Sequence, residues 1–130
     1  MHDSGPQKTA LLLIAHGSRR AEANADLDYV ADALRRRGPF SIVESCYLEL
    51  AEPNIAAGAA RCMEQGSERV VMLPYFLSAG IHVREDLEQM RQELQVRYGV
   101  PFILAEPLGR HPLLVEIVLQ RAREADAASK

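Results

Sequence analysis

Leu11-Leu12-Leu13-Ile14 is a run of four apolar residues with no polar alternation, too short for a stable helix and suited to a strand covered on both faces. Downstream, Leu27, Val30, Ala31 and Leu34 recur at helical spacing. Arg35-Arg36-Arg37 closes the last turn, where cations favour the carbonyl end of the dipole, and Gly38-Pro39 stops the helix. Phe40 to Leu48 is β-prone but carries Ser41, Glu44 and Ser45, which suits a wetter, edge strand. Pro53 suits the first turn of a second helix with Ile55, Ala59, Cys62 and Met63 on its apolar face, ended by Gly66.

Arg69-Val70-Val71-Met72-Leu73 is a second dry strand, ended by Pro74, which has no amide hydrogen for the ladder. A loop from Tyr75 to about Gly80 leads to a third helix whose face is Val83, Leu87, Met90 and Leu94, ending near Gly99-Val100-Pro101. Phe102 to Ala105 reads as a fourth strand. Leu113, Leu114, Ile117, Val118 and Ala122 trace a fourth amphipathic helix.

Four strand-helix units without a hairpin signal predict an α/β fold, a four-stranded parallel sheet with right-handed crossovers and helices on both faces. The two driest early strands belong at the centre, giving the order 2-1-3-4. The chain then reverses direction across the sheet and opens a crevice at the carboxyl ends of the strands. Residues 9–124 are expected to form a single domain, with a mobile tail at 1–8 and a frayed end at 125–130.

The 130 residues are 48% hydrophobic and 25% charged, as in an ordinary globular protein, and no apolar run reaches the ~20 residues that cross a bilayer. A net charge of −3 offers no global attraction for nucleic acid or anionic lipid. Cys46 and Cys62 are too few for a disulfide framework or a zinc ribbon and read as small core hydrophobes. The polar start, His2 included, lacks an export pattern, so a reducing cytoplasm is the expected location.

His16 follows the first strand, Glu49 lies just beyond the second, and His82 ends the loop after the third. Glu49 follows His16 by 33 residues and His82 follows Glu49 by 33, about one strand-helix unit each, so the topology delivers all three to one rim. Two imidazoles and a carboxylate can hold a borderline divalent ion with positions left open, and can accept protons near neutral pH. A lone loop histidine is more often a bland polar residue; the coincidence of three strand ends is what singles these out.

Ala15-His16-Gly17-Ser18-Arg19, Leu48-Glu49-Leu50-Ala51-Glu52-Pro53-Asn54-Ile55 and Leu73-Pro74-Tyr75-Phe76-Leu77-Ser78-Ala79-Gly80-Ile81-His82-Val83-Arg84-Glu85-Asp86 resemble the small CbiX-type sirohydrochlorin chelatases. The third string is the most specific, and the resemblance runs from about Leu11 to Arg110. It implies a class II chelatase that inserts a divalent metal into a tetrapyrrole without ATP or a cofactor beyond the metal substrate, short members forming homodimers. On it His16 and His82 match the paired metal-handling histidines and Glu49 their acidic companion. Apolar Ile81 stands where related chains often have a small or polar residue.

The chemistry required agrees with that resemblance. A free-base tetrapyrrole must lose two N–H protons as the ion exchanges water for pyrrole nitrogens, so the protein supplies a base and a temporary, incomplete ligand set. Sirohydrochlorin is a polycarboxylate, so a net acidic chain must concentrate cations at the crevice. Arg19 and Arg84 are the first choices for these contacts, ahead of Arg20 and Arg110, against the plain alternative of solvated surface charge. Phe76, with Tyr75 and Leu77, offers either an apolar wall or core packing, and Ser78, Ala79 and Gly80 let a flat ring approach the backbone.

Cobalt is the expected metal, with iron or nickel tolerated by the same ligands. The alternatives are a metal or tetrapyrrole carrier, which requires tight binding without turnover, and a phosphohydrolase built on His16. A receiver domain lacks its acidic cluster.

Overall fold

The computed structural model describes residues 8–130, so most of the expected tail, His2 included, lies outside the described residues. Lys8, expected in that tail, is anchored: its N–H donates to Glu68 Oε1 at 2.9 Å, and its carbonyl accepts from the Glu68 N–H at 2.7 Å.

Strands β1 (Thr9–Ala15), β2 (Ile42–Tyr47), β3 (Arg69–Pro74) and β4 (Phe102–Leu104) alternate with helices α1 (Ala21–Arg37), α2 (Ile55–Glu64), α3 (Ile81–Tyr98) and α4 (Pro112–Ala128). The sheet is parallel with the order β2-β1-β3-β4, as the two dry strands require. β1 serves two cores at once. Ala10, Leu12 and Ile14 pack with Ile55, Ala59 and Cys62 of α2 and with Leu87 and Leu94 of α3, whereas Leu11 and Leu13 pack with Leu27 and Ala31 of α1. This explains the missing alternation, and each fully buried leucine or isoleucine contributes about 2 kcal/mol.

Gly58 lets α2 settle onto the sheet: a Cβ there would lie 2.8 Å from Cys46 Cβ and 2.9 Å from Leu12 Cδ1. Both cysteines are free and buried, and burial, the largest cause, pushes their thiols up, that of Cys62 to about 12.

Both sheet edges are blocked by side chains. Arg35 of α1 donates from Nε to the Val43 carbonyl at 2.9 Å on β2, and Arg91 of α3 donates from Nη1 to the Phe102 carbonyl at 3.0 Å on β4. Gln95 Oε1 accepts the Phe102 N–H at 3.0 Å. Satisfying these groups discourages edge-to-edge pairing.

Several local expectations change. Pro53 stands ahead of α2, and Asn54 caps that helix by accepting the Ala57 N–H at 2.8 Å on Oδ1. Strand β2 is at an edge but drier than its composition suggests, since α1 and α2 cover it and Ser45 is buried. His82 lies in the first turn of α3 instead of ending the loop. The fourth helix continues to Ala128 where fraying from residue 125 was expected, and it buries none of its residues among those described. The helices on the two faces are therefore α2 and α3 on one and α1 on the other, and no helix among the described residues is long and apolar enough to cross a membrane.

Candidate metal-handling rim

The carboxyl ends of the strands continue as bonded loops. Beyond β1 and β2, the Leu48 N–H donates to the Ala15 carbonyl at 2.9 Å and the Glu49 N–H to the His16 carbonyl at 3.1 Å, placing the Glu49 backbone beside His16. Gly17 makes this approach possible. Its φ is +99° and a Cβ would lie 1.8 Å from the Glu49 carbonyl oxygen. On the other side the Tyr75 N–H donates to the Ile14 carbonyl at 2.7 Å, and the Phe76 ring lies 4.5 Å from the His16 imidazole, centre to centre, at 30°. The fourth loop joins them: the Leu108 N–H donates to the Phe76 carbonyl at 3.0 Å, and a Cβ on Gly109 would lie 1.9 Å from the Leu77 oxygen.

The loop after His16 is held by a residue that sequence reading missed. Asn24 accepts the Ser18 N–H on Oδ1 at 3.0 Å and donates from Nδ2 to the Ser18 carbonyl at 2.7 Å. The Asn24 carbonyl accepts from the Tyr47 hydroxyl at 3.0 Å. Burial first, then the nearby Asp28 charge, pushes the Tyr47 phenol up, which keeps it a neutral donor. An asparagine within a helix carries no sequence signal of this clamp.

His16 and Glu49 are both exposed, and their backbones adjoin. The His82 side chain is 94% exposed, with Nδ1 3.8 Å from Glu85 Oε1, beyond hydrogen-bond length. Among the described residues, no three His, Cys, Asp or Glu side chains form a group able to hold a metal. His16, Glu49 and His82 stand on two loops and a helix start at one end of the sheet. Backbone bonds fix their positions on the rim while the side chains extend into solvent.

Arg84 donates to Glu106 Oε1 at 3.3 Å with its side chain half exposed, beside a depression of about 230 Å³ that Ala79 and Pro107 also line. Arg19 and Ser78 are exposed, and Phe76 is half-buried against the α2/α3 core, so it combines core packing with support of His16. Gly80 precedes α3 with ordinary extended backbone and open space around a Cβ position. Exposed Leu50, at φ 67°, and exposed Leu77 and Ile81 flank the polar residues. Of these, Leu50 was missed; its positive φ is invisible in the sequence. A groove of about 570 Å³ between α2 and α3, lined by Ile55, Met90, Leu94 and Arg97, contains none of the candidate residues.

Residues 10–125 match the family described as CbiX. The chain belongs to the CbiX family. A chloroplastic sirohydrochlorin ferrochelatase of Arabidopsis thaliana is 34% identical over 112 residues, covering 85% of this chain and 50% of the relative. A sirohydrochlorin cobaltochelatase of Methanopyrus kandleri is 28% identical over 137 residues, covering 89% of this chain and 96% of the relative.

Among solved structures, a CbiX protein from Marinobacter aquaeolei VT8 superposes with a TM-score of 0.80 at 31% identity, covering 92% of this chain and 98% of that one. The chelatase SirB from Bacillus subtilis subspecies spizizenii, solved with cobalt, gives a TM-score of 0.81 at 25% identity, covering 91% of this chain and 51% of that one. The CbiX chain thus spans about half of some relatives and nearly all of others.

Proposed function

We propose that this CbiX chain inserts a divalent metal ion, Co2+ first, into sirohydrochlorin without ATP, acting as a homodimer. The observation that carries the reading is the joined rim, with the Glu49 N–H on the His16 carbonyl at 3.1 Å and the His16 imidazole against Phe76 at 4.5 Å. Relatives named as sirohydrochlorin cobaltochelatases and ferrochelatases supply the substrate and the two metals to be weighed.

In this mechanism His16 and His82 hold the incoming ion at one face of the macrocycle and accept the expelled pyrrole protons, and Glu49 balances charge and helps to deliver the ion. Exposed, ungathered donors favour passage over retention, because a closed four-ligand site would keep the metal. Leu50, Leu77 and Ile81 offer apolar contact to the flat ring, and Arg19 and Arg84 meet its carboxylates. Iron insertion is the second reading, favoured by the similarity to the Arabidopsis ferrochelatase. Cobalt would place the reaction in cobalamin synthesis and iron in sirohaem synthesis.

The test is an anaerobic absorbance assay with sirohydrochlorin and Co2+, Fe2+ or Ni2+ in turn. Repeated turnover by the intact chain and its loss in His16→Ala and His82→Ala are expected. Wild-type rates in either variant overturn the assigned roles; metallation that stops after one equivalent restores the carrier.

A further inference from the structure

The turn that carries Arg19 is pinned on both sides of that residue. Asn24 accepts the Ser18 N–H on Oδ1 at 3.0 Å and donates from Nδ2 to the Ser18 carbonyl at 2.7 Å, so one side-chain amide fixes both peptide groups that flank Ser18. The second of them leads into Arg19. Past Arg19, the Arg20 N–H donates to Ser18 Oγ at 3.0 Å. The Arg19 backbone is thus held between two bonded groups while its side chain stands exposed.

Helix α1 gains little from an asparagine at its fourth residue, where the side chain ordinarily competes with the helix backbone. Both side-chain bonds of Asn24 instead reach back six residues to the turn. Their base is firm: the Asn24 carbonyl accepts from the Tyr47 hydroxyl at 3.0 Å, and Tyr47 is buried and packs with Leu27 and Ala31 of α1. A Cβ on Gly17 would lie 3.2 Å from Tyr47 Cβ, so the same tyrosine also backs the start of the turn. The clamp therefore ties the Arg19 backbone to the end of β2, two residues before Glu49.

Arg35, Arg84, Arg91 and Arg121 each pair with a carboxylate of the chain, whereas among the described residues Arg19 pairs with none. A guanidinium with no internal partner, carried on a backbone that is already ordered, has less freedom to lose when it meets an anion. We propose that Asn24 is a positioning residue for anion recognition: its amide holds the Ser18–Arg19 peptide so that Arg19, three residues from His16, meets a carboxylate of the bound tetrapyrrole. This rests on the proposed contact between Arg19 and sirohydrochlorin, and not on metal insertion.

Absorbance titration of metal-free sirohydrochlorin reads binding without turnover. Intact protein, Arg19→Ala, Asn24→Ala and the double variant form a cycle, each measured at two ionic strengths. Asn24→Ala is expected to raise the dissociation constant about threefold or more and to flatten its dependence on salt, and to do neither once Arg19 is absent. A merely structural asparagine weakens binding by the same factor in both backgrounds and leaves the salt dependence as it was, which overturns the proposal. So does an Asn24→Ala protein that binds as tightly as the intact chain.

Ser18→Ala removes the other anchor without touching α1, and it carries the same cycle if Asn24→Ala does not fold; equal factors with and without Arg19 overturn the proposal there too. Unchanged binding by Arg19→Ala takes Arg19 off the substrate surface and overturns the positioning with it. Failure of the wider reading looks different. An intact chain that binds no sirohydrochlorin loses its proposed substrate and this proposal together, whereas binding with equal losses in the two backgrounds removes only the role of Asn24.

Discussion

The His16 imidazole rests on the Phe76 ring with centres 4.5 Å apart, and Phe76 itself packs into the α2/α3 core. A catalytic candidate at the end of β1 is thereby supported by a residue from the loop after β3. Substituting Phe76→Ala removes that support and should lower the rate of metal insertion about tenfold, because an imidazole free to sample other rotamers is less often in place. The same substitution should cost about 1–3 kcal/mol of stability from lost partly buried contacts. Phe76→Tyr keeps the ring and should recover most of the rate; a Phe76→Ala protein with undiminished turnover would remove this contact from the mechanism.

Gly17 makes a sharper demand. With φ at +99° and the Glu49 oxygen 1.8 Å from a would-be Cβ, Gly17→Ala must push the first two loops apart. Loss of the Glu49 N–H to His16 carbonyl bond and a destabilisation of about 1–3 kcal/mol are expected. The effect should appear as faster hydrogen exchange at the Glu49 amide, with slower metal insertion, while the β1 amides stay protected. Unchanged exchange at Glu49 would mean that the rim absorbs the methyl group by another route.

The sheet order was legible because burial on both faces writes an unbroken apolar run into β1, and β3 is nearly as dry. From that order the rim position of His16 and Glu49 followed by topology. What the sequence did not carry were relationships set by close backbone approach: Gly17 against Glu49, Gly109 against Leu77, and Asn24 reaching back to Ser18. Each is a tertiary contact between loops with no periodicity to read. The exposure of α4 was hidden for a different reason, since an apolar helical pattern reads the same whether or not the helix packs on its own sheet. Helix α3 starts two residues earlier than its apolar face suggests, taking in His82, because Gly80, not a Ser, Thr, Asp or Asn cap, precedes it.

Arg84 is held by Glu106 at 3.3 Å, with both side chains largely in solvent. An exposed pair of this kind exchanges readily for an incoming carboxylate. If Arg84 binds a sirohydrochlorin carboxylate, Arg84→Ala should raise KM several-fold and flatten its dependence on salt, with kcat little changed. Glu106→Gln should do the reverse, lowering KM by freeing the guanidinium and removing a like charge. Steady-state kinetics at two ionic strengths measure both, and equal KM values in all three proteins would take Arg84 off the substrate surface.

The acid side of stability is written into α3. Arg91 donates from Nε to Glu88 Oε1 at 2.8 Å and from Nη2 to Oε2 at 2.7 Å, and Gln92 Nε2 donates to Oε2 at 3.0 Å. These bonds hold the Glu88 carboxyl down at about 2, well below its ordinary 4.5. A carboxylate whose folded value is depressed stabilises the fold fully above its unfolded value and loses that contribution as pH falls through the folded one.

The stability difference between the intact chain and Glu88→Gln should therefore be constant from pH 7 to about 5 and shrink steadily between about 4.5 and 2, as linkage requires. Denaturant midpoints measured for both proteins across that range isolate Glu88, because the other carboxylates titrate alike in the two chains. Arg91 also holds the Phe102 carbonyl, so the same titration should loosen the β4 edge, seen as faster exchange there in acid than in Glu88→Gln relative to neutral pH. A difference that stays flat down to pH 2.5, or widens toward acid, would mean that the Glu88 and Arg91 pair does not stabilise the folded state.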